Sequence, residues 1–181
     1  VYMVGDIKQS IYRFRNANPY LFKNKYDNYS ENLGGFKIDL TKNFRSRNEV
    51  IDNINLIFSC VMTDSFGGAD YIKSHKMIFG NNSYLSSGKT NQNYNFELLN
   101  YEYDKFIEYS KEEIEIFTIA RDIKNKVDNK YQIFDKDTNI LRDASYGDFA
   151  ILLDKSSYFD LYKKIFQYFS IPVTKYNTTD I

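Results

Sequence analysis

The chain has 181 residues, enough for a domain with a substantial core. Its 24 basic and 24 acidic residues cancel, which excludes a globally basic DNA-coating protein and leaves room only for a local charged groove. One Cys and one His exclude a disulfide framework and a Cys/His zinc site, and no apolar run reaches the roughly 18 residues a membrane helix needs, so a soluble, cytoplasmic protein with no membrane partner is expected.

The apolar run Val1 to Val4 reads as the end of a buried strand, closed by Gly5-Asp6. Polar groups then leave the carboxyl end of that strand, where open α/β sheets place ligands. Gln9 offers an amide suited to phosphate oxygens or to an attacking water. Tyr12, Arg13, Phe14 and Arg15 alternate rings with guanidiniums. Rings stack on any base and Arg neutralises phosphate, so the mixture suits single-stranded nucleic acid. It suits an aromatic core segment equally well. Residues 16–29 are expected as a short helix, with Asn18 as cap, Pro19 in the first turn, and Leu21, Phe22 and Tyr26 on one face. Gly34-Gly35 breaks the chain, and residues 36–40 alternate as a half-buried strand does. Ser46 and Glu49 have capping-box spacing for a helix running to about Met62. Val50, Ile51, Ile54, Ile57, Phe58, Val61 and Met62 form its apolar stripe, and Cys60 reads as a small core residue. Arg45 stands just before this helix, placed either for a phosphate or for a surface carboxylate.

Residues 63–93 carry little pattern. Gly67-Gly68 marks a turn, and residues 80–93 are expected as a mobile loop. His75 has no partner pattern. Ser86-Ser87-Gly88-Lys89-Thr90 ends like a phosphate loop but lacks its first Gly and does not follow a buried strand, so it reads as a coincidence. Residues 94–103 are strand-like. Ser110 and Glu113 make a second capping box, opening a helix with Ile116, Ala120, Ile123 and Val127 on one stripe. Its Glu112, Glu113 and Glu115 are a solvated helix start favoured by the dipole, not a metal cluster. Residues 131–134 and 139–142 flank Asp135-Lys136-Asp137-Thr138, a hairpin. Residues 149–153 read as a buried parallel strand, a helix follows from Asp154 or Ser156 to about Phe169, and residues 171–176 as a last strand reached by a right-handed crossover.

Two strings carry a resemblance. Val4-Gly5-Asp6-Ile7-Lys8-Gln9-Ser10-Ile11-Tyr12-Arg13-Phe14-Arg15 resembles motif III of the superfamily 1 DNA helicases of the UvrD/Rep type, and most nearly that of the A subunit of the AddAB helicase–nuclease. Leu40-Thr41-Lys42-Asn43-Phe44-Arg45-Ser46 resembles motif IV, an L-x-x-N-aromatic-R-S pattern, at the right distance. A weaker similarity continues through residues 146–153 and 170–173. The resemblance implies an α/β fold: a partial RecA-like phosphate-loop NTPase, mostly parallel sheet flanked by helices, with a small β-hairpin. Residues 1–30 would end the first RecA-like domain, and residues 35–181 would begin the second.

The resemblance further implies a fragment of an ATP-dependent helicase/exonuclease subunit that couples ATP hydrolysis to translocation on single-stranded DNA, in double-strand break repair and recombination. Gln9 would sense the terminal phosphate, Phe44 would lie against adenine, and Arg45 would act as an arginine finger. Tyr12 and Phe14 would stack on bases and Arg15 would link that platform to nucleotide or strand. Phe14 stands where Trp is frequent, and Asp154 where Arg is more frequent. ATP and Mg2+ are expected in the full-length enzyme and neither on the fragment, which lacks a phosphate loop and is expected to be inactive alone. Single- and double-stranded DNA and the B subunit of the helicase–nuclease are the implied partners. A non-catalytic adaptor that retains the fold is the alternative.

Overall fold

The structure, a computed structural model, describes residues 2–6, 18–63, 65, 70–86, 92–104, 106, 108–153 and 155–175. The chain divides into two compact units, Val1–Asn81 with Tyr94–Phe96, and Asn82–Asn93 with Glu97–Ile181.

In the first unit, α1 spans Pro19–Ser30, and the Asn18 side chain caps it by accepting the Tyr20 N–H at 3.0 Å. Gly34 sits at φ +76°, a left-handed turn that glycine adopts without a Cβ clash. A two-residue strand, β1 (Lys42–Asn43), pairs in parallel with β2 (Ile78–Phe79), in register Lys42 with Ile78 and Asn43 with Phe79. Between them run α2 (Asn48–Val61) and a π-helical turn, Tyr71–His75. Met62, fully buried Tyr71 and half-buried Phe22 pack together, and Tyr71 stacks on Phe58 with centroids 5.5 Å apart.

The buried face of α2 differs from the expected stripe. Ile51 is buried, but the next buried position is Asn55, while Val50, Ile57 and Val61 are exposed. Asn55 is admitted because its side-chain amide is bonded at both ends. It donates to the Met77 carbonyl (2.9 Å) and accepts from the Met77 N–H (3.0 Å) and the Tyr71 hydroxyl (2.8 Å). Cys60 is exposed rather than a core residue. His75 lies against Tyr26, ring centroids 5.8 Å apart.

In the second unit, α3 is one turn (Ser83–Ser86) inside the expected loop, where buried Tyr84 packs on Phe134 at 4.7 Å. The capping box at Ser110 forms as the sequence predicts: the Ser110 hydroxyl accepts the Glu113 N–H and the Glu113 carboxylate accepts the Ser110 N–H. It opens α4 (Lys111–Asp128), whose Ile116, Ala120 and Ile123 are buried. The hairpin forms too, β3 (Gln132–Asp135) against β4 (Ile140–Asp143), with Asp135 accepting the N–H groups of Asp137 and Thr138 across the turn. A 3-10 turn, Ser156–Tyr158, leads into α5 (Phe159–Tyr168), which packs Tyr162, Ile165 and Phe166 against the α4 stripe and Ile171.

Arg142 on β4 binds both Asp148 oxygens (2.8 and 2.7 Å) and Asp135 (3.1 Å), tying the hairpin to the 3-10 turn Tyr146–Asp148. These bonds, with those from Ser145, hold the Asp148 carboxyl well below the usual carboxylate range although burial opposes the shift.

The sheet departs from the expected one. Among the described residues the structure is mixed α/β, with a small parallel pair and an antiparallel hairpin. Residues 2–4, 36–40, 94–103, 149–153 and 171–175 are not in strands. Ile171 is buried in the α4–α5 core, but most apolar side chains of the other stretches are exposed, reaching 78% at Val4, 87% at Leu40 and 97% at Leu152. A strand exists only where its N–H and C=O groups meet a neighbour. An apolar run signals a segment fit for burial, but it does not supply the neighbouring strand.

Candidate nucleotide-contacting turn

The residues expected from the second motif converge at the end of β1. Thr41 and Asn43 present their carbonyls to the N–H groups of Ile78 and Gly80, each at 2.9 Å, so the parallel ladder runs to Gly80. At Asn43 the chain turns. The Asn43 side-chain oxygen accepts the N–H groups of Arg45 and Ser46, both at 2.9 Å, closing a tight Asx turn. Its amide nitrogen rests on the Met77 sulfur at 3.7 Å. The Phe44 carbonyl, at the tip, accepts from the Asn81 side chain at 3.1 Å. Phe44 thus sits inside the Asx turn with its carbonyl held by Asn81, while the residue is 61% exposed. Arg45 follows, also exposed, just ahead of α2.

This turn also explains why the first capping box does not form. Asn43 engages the backbone N–H of Ser46, and the helix starts one residue later, with Arg47 at the N-cap position and no side-chain cap. The Glu49 carboxylate turns to Arg47 instead, meeting Nε (3.3 Å) and Nη2 (3.2 Å), and the Arg47 guanidinium lies 3.8 Å above the Tyr94 ring. Burial raises the Glu49 carboxyl, but the Arg47 bond and a contact with its own backbone outweigh it and lower its pKa. Neighbouring arginines therefore differ: Arg47 is built into the scaffold and Arg45 is presented at the surface.

A flat ring beside a guanidinium, at the carboxyl end of parallel strands, offers a stacking face for a base and a two-pronged grip for phosphate. Residues 43–46 include no carboxylate that could ligate Mg2+, and among the described residues no group of three or more His, Cys, Asp or Glu is placed to hold a metal ion. Gln9, Tyr12, Phe14 and Arg15 lie outside the described residues, as do Gly67-Gly68, most of residues 86–90, and Asp154. The sequence pattern announced no role for Asn43, Asn55, Gly80 or Asn81. A signal for Asn43 was available: Asn two and three residues ahead of the N–H groups it binds is an Asx-turn pattern.

Residues 1–30 match the family model described as the UvrD/REP helicase N-terminal domain. Almost the whole chain is similar to proteins named as the A subunit of an ATP-dependent helicase/nuclease. One from Exiguobacterium sibiricum is 38% identical over 176 residues, covering 96% of this chain and 14% of the relative. One from Bacillus cereus is 40% identical over 162 residues, covering 84% of this chain and 13% of the relative. One from Bacillus thuringiensis is 39% identical over 163 residues, with the same coverage. The likeness of the chain is thus to UvrD/Rep-type helicase proteins. The chain spans about one seventh of the length of the helicase/nuclease subunits it matches.

Proposed function

We propose that this chain is a segment of an ATP-dependent DNA helicase/nuclease subunit, one that couples ATP hydrolysis to movement along single-stranded DNA in double-strand break repair and recombination. The observation that carries the reading is the turn after β1, which pins the backbone of Phe44 while its ring stays exposed and sets Arg45 next to it at the surface. The similarity along 96% of the chain supports the same assignment.

In this reading the segment lies across two RecA-like domains, residues 1–30 ending the first and 35–181 beginning the second. The N-terminal-domain family match over residues 1–30 supports that boundary. The extended apolar stretches then become strands of a sheet completed by other parts of the subunit. Phe44 offers its ring to the adenine of ATP. Arg45 grips the terminal phosphate as charge spreads over the transferring phosphoryl group. Gln9 senses that phosphate, and Tyr12, Phe14 and Arg15 engage single-stranded DNA. Mg2+, if bound in the full-length enzyme, would supply neutralisation of the phosphate charge. The segment alone does not hydrolyse ATP. A second chain, the B subunit, and duplex DNA complete the assembly. No helix among the described residues is long and apolar enough to cross a membrane, in keeping with work on DNA in the cytoplasm.

The test is Arg45→Lys in the full-length subunit. Lysine keeps the charge and loses the two-pronged geometry. Finger arginines in other folds contribute about 10³–10⁵ in rate, so kcat for ATP hydrolysis should fall by at least about 10²-fold, with nucleotide affinity and single-strand binding near normal. A folded variant, judged by its melting temperature, with near-normal kcat would remove Arg45 from the mechanism.

A further inference from the structure

Phe44 has a third neighbour that neither the motif nor the hydrogen bonds around the turn account for. Gly80 ends the β1–β2 ladder, its N–H donating to the Asn43 carbonyl at 2.9 Å. That rung brings the Gly80 backbone directly beneath the Phe44 side chain. A Cβ added to Gly80 would lie 2.8 Å from Cε1, 3.0 Å from Cδ1 and 3.1 Å from Cζ of the Phe44 ring. All three contacts are with ring atoms of one residue, so the ring rests along one edge on the Gly80 Cα, where only hydrogen fits. Nothing in the backbone demands glycine here. Among the described residues Gly34 is the glycine with positive φ, and Gly80 sits in a conformation open to any residue.

We propose that Gly80 is a positioning residue: by leaving room beneath Phe44 it sets the plane of the ring and thereby the affinity of the site for the purine base of a nucleotide. The inference rests on the reading above, in which Phe44 meets the base. Carbon atoms in contact settle about 3.5–4.0 Å apart, so an alanine at position 80 must push the nearest ring atom away by roughly 0.7 Å. The backbone of residue 44 cannot take up that shift freely. The Asn43 turn holds it on one side and the Asn81 side chain holds the Phe44 carbonyl on the other. The displacement therefore goes into the side-chain torsions, and the exposed ring tilts. Stacking depends on the plane of the ring. Phosphate recognition by Arg45 does not, because it uses a different side chain, on a residue whose backbone N–H is bonded by the Asn43 side-chain oxygen and not by the Phe44 ring. Gly80 should thus act on base affinity and leave the phosphate end alone.

The experiment uses equilibrium titration of the full-length subunit with two probes, ADP and inorganic tripolyphosphate, beside steady-state ATPase measurements. Loss of a stacking ring is worth about 1–3 kcal/mol per base, so Phe44→Ala should weaken ADP about 5- to 150-fold. Gly80→Ala should weaken ADP by about 3- to 10-fold and raise KM for ATP to match, with kcat and tripolyphosphate affinity within twofold of the parent. In a Phe44→Ala background, Gly80→Ala should add nothing, since the two changes act through one ring. If Gly80→Ala does not fold, Asn81→Ala, which frees the Phe44 carbonyl, must show the same split between ADP and tripolyphosphate. The proposal is overturned if Gly80→Ala binds ADP as the parent does. Equal weakening of tripolyphosphate, or an effect that persists without the Phe44 ring, overturns it as well. If Phe44→Ala itself leaves ADP affinity intact, the assignment of Phe44 to the base falls, and Gly80 falls with it. That outcome is distinct from one in which Phe44 matters and Gly80 does not.

Discussion

Replacing Asn55 by alanine should unlock the strand that supports the candidate site. Three hydrogen bonds are lost: one from the Tyr71 hydroxyl at 2.8 Å and two that pair the Asn55 amide with the Met77 N–H and carbonyl at 3.0 and 2.9 Å. Met77 is half-buried, so water replaces part of what Asn55 supplied there, and each of those bonds counts at the low end, about 0.5 kcal/mol. The Tyr71 hydroxyl is different. Tyr71 is 0% exposed, and stranding its donor incurs the desolvation penalty of about 1–3 kcal/mol. The expected loss is therefore about 2–4 kcal/mol. Tyr71→Phe serves as the partner in a double-mutant cycle and should return a coupling of about 1 kcal/mol. Because the chain holds two compact units, a single unfolding midpoint is a poor gauge. Amide exchange at Met77, beside urea denaturation, reads the local effect. A loss below about 1 kcal/mol with Met77 protection unchanged would refute the idea that this buried amide holds β2 in place.

Two further outcomes are expected. Ser110→Ala should cost about 1 kcal/mol in thermal stability, as loss of a working cap does, whereas Ser46→Ala should cost no more than a few tenths, because its side chain makes no cap bond; equal losses would contradict the two helix starts described. Acid should weaken the second unit through Asp148. Its carboxyl is depressed in the folded chain, so the associated stability is present above the unfolded value near 4 and is lost as pH falls from about 5 toward 2. Arg142 is 40% exposed and solvent screens the pair, so the effect is modest. Urea denaturation followed by amide exchange within the second unit, repeated at each pH, should show a smaller loss on acidification for Asp148→Asn than for the parent, and parallel curves would argue against the pair.

What the sequence disclosed depended on whether a signal was complete within a few residues. Ser110 to Glu113 forms its box because no nearer partner competes for those groups. The same spacing at Ser46 to Glu49 does not, because Asn43 lies upstream and Arg47 sits between, and both offer alternatives. The hairpin was legible in Asp135 and its turn for the same local reason. The extended apolar stretches were legible as segments but not as strands, since pairing is a property of two segments. Asn55 looked like an interruption in an apolar stripe, and its partners Tyr71 and Met77 lie 16 and 22 positions away. Gly80 was invisible for a related reason: the side chain it makes room for belongs to residue 44.

The parallel pairing of β1 with β2 has a consequence for how the chain assembles. Lys42 meets Ile78, 36 positions later, whereas Asp135 meets Ile140 only 5 positions away. Loop-closure entropy grows as about 1.5 RT times the logarithm of the spacing, which makes the first pairing roughly 1.7 kcal/mol harder to nucleate than the second. The hairpin can close within microseconds on its own. The turn that carries Phe44 and Arg45 must instead wait until α2 and the π-helical turn have folded back and delivered Gly80. On a growing chain, residues 40–45 emerge long before the segment that seats them, so the Phe44 ring lacks its Gly80 neighbour through that interval and the candidate site is among the last parts of its unit to take shape.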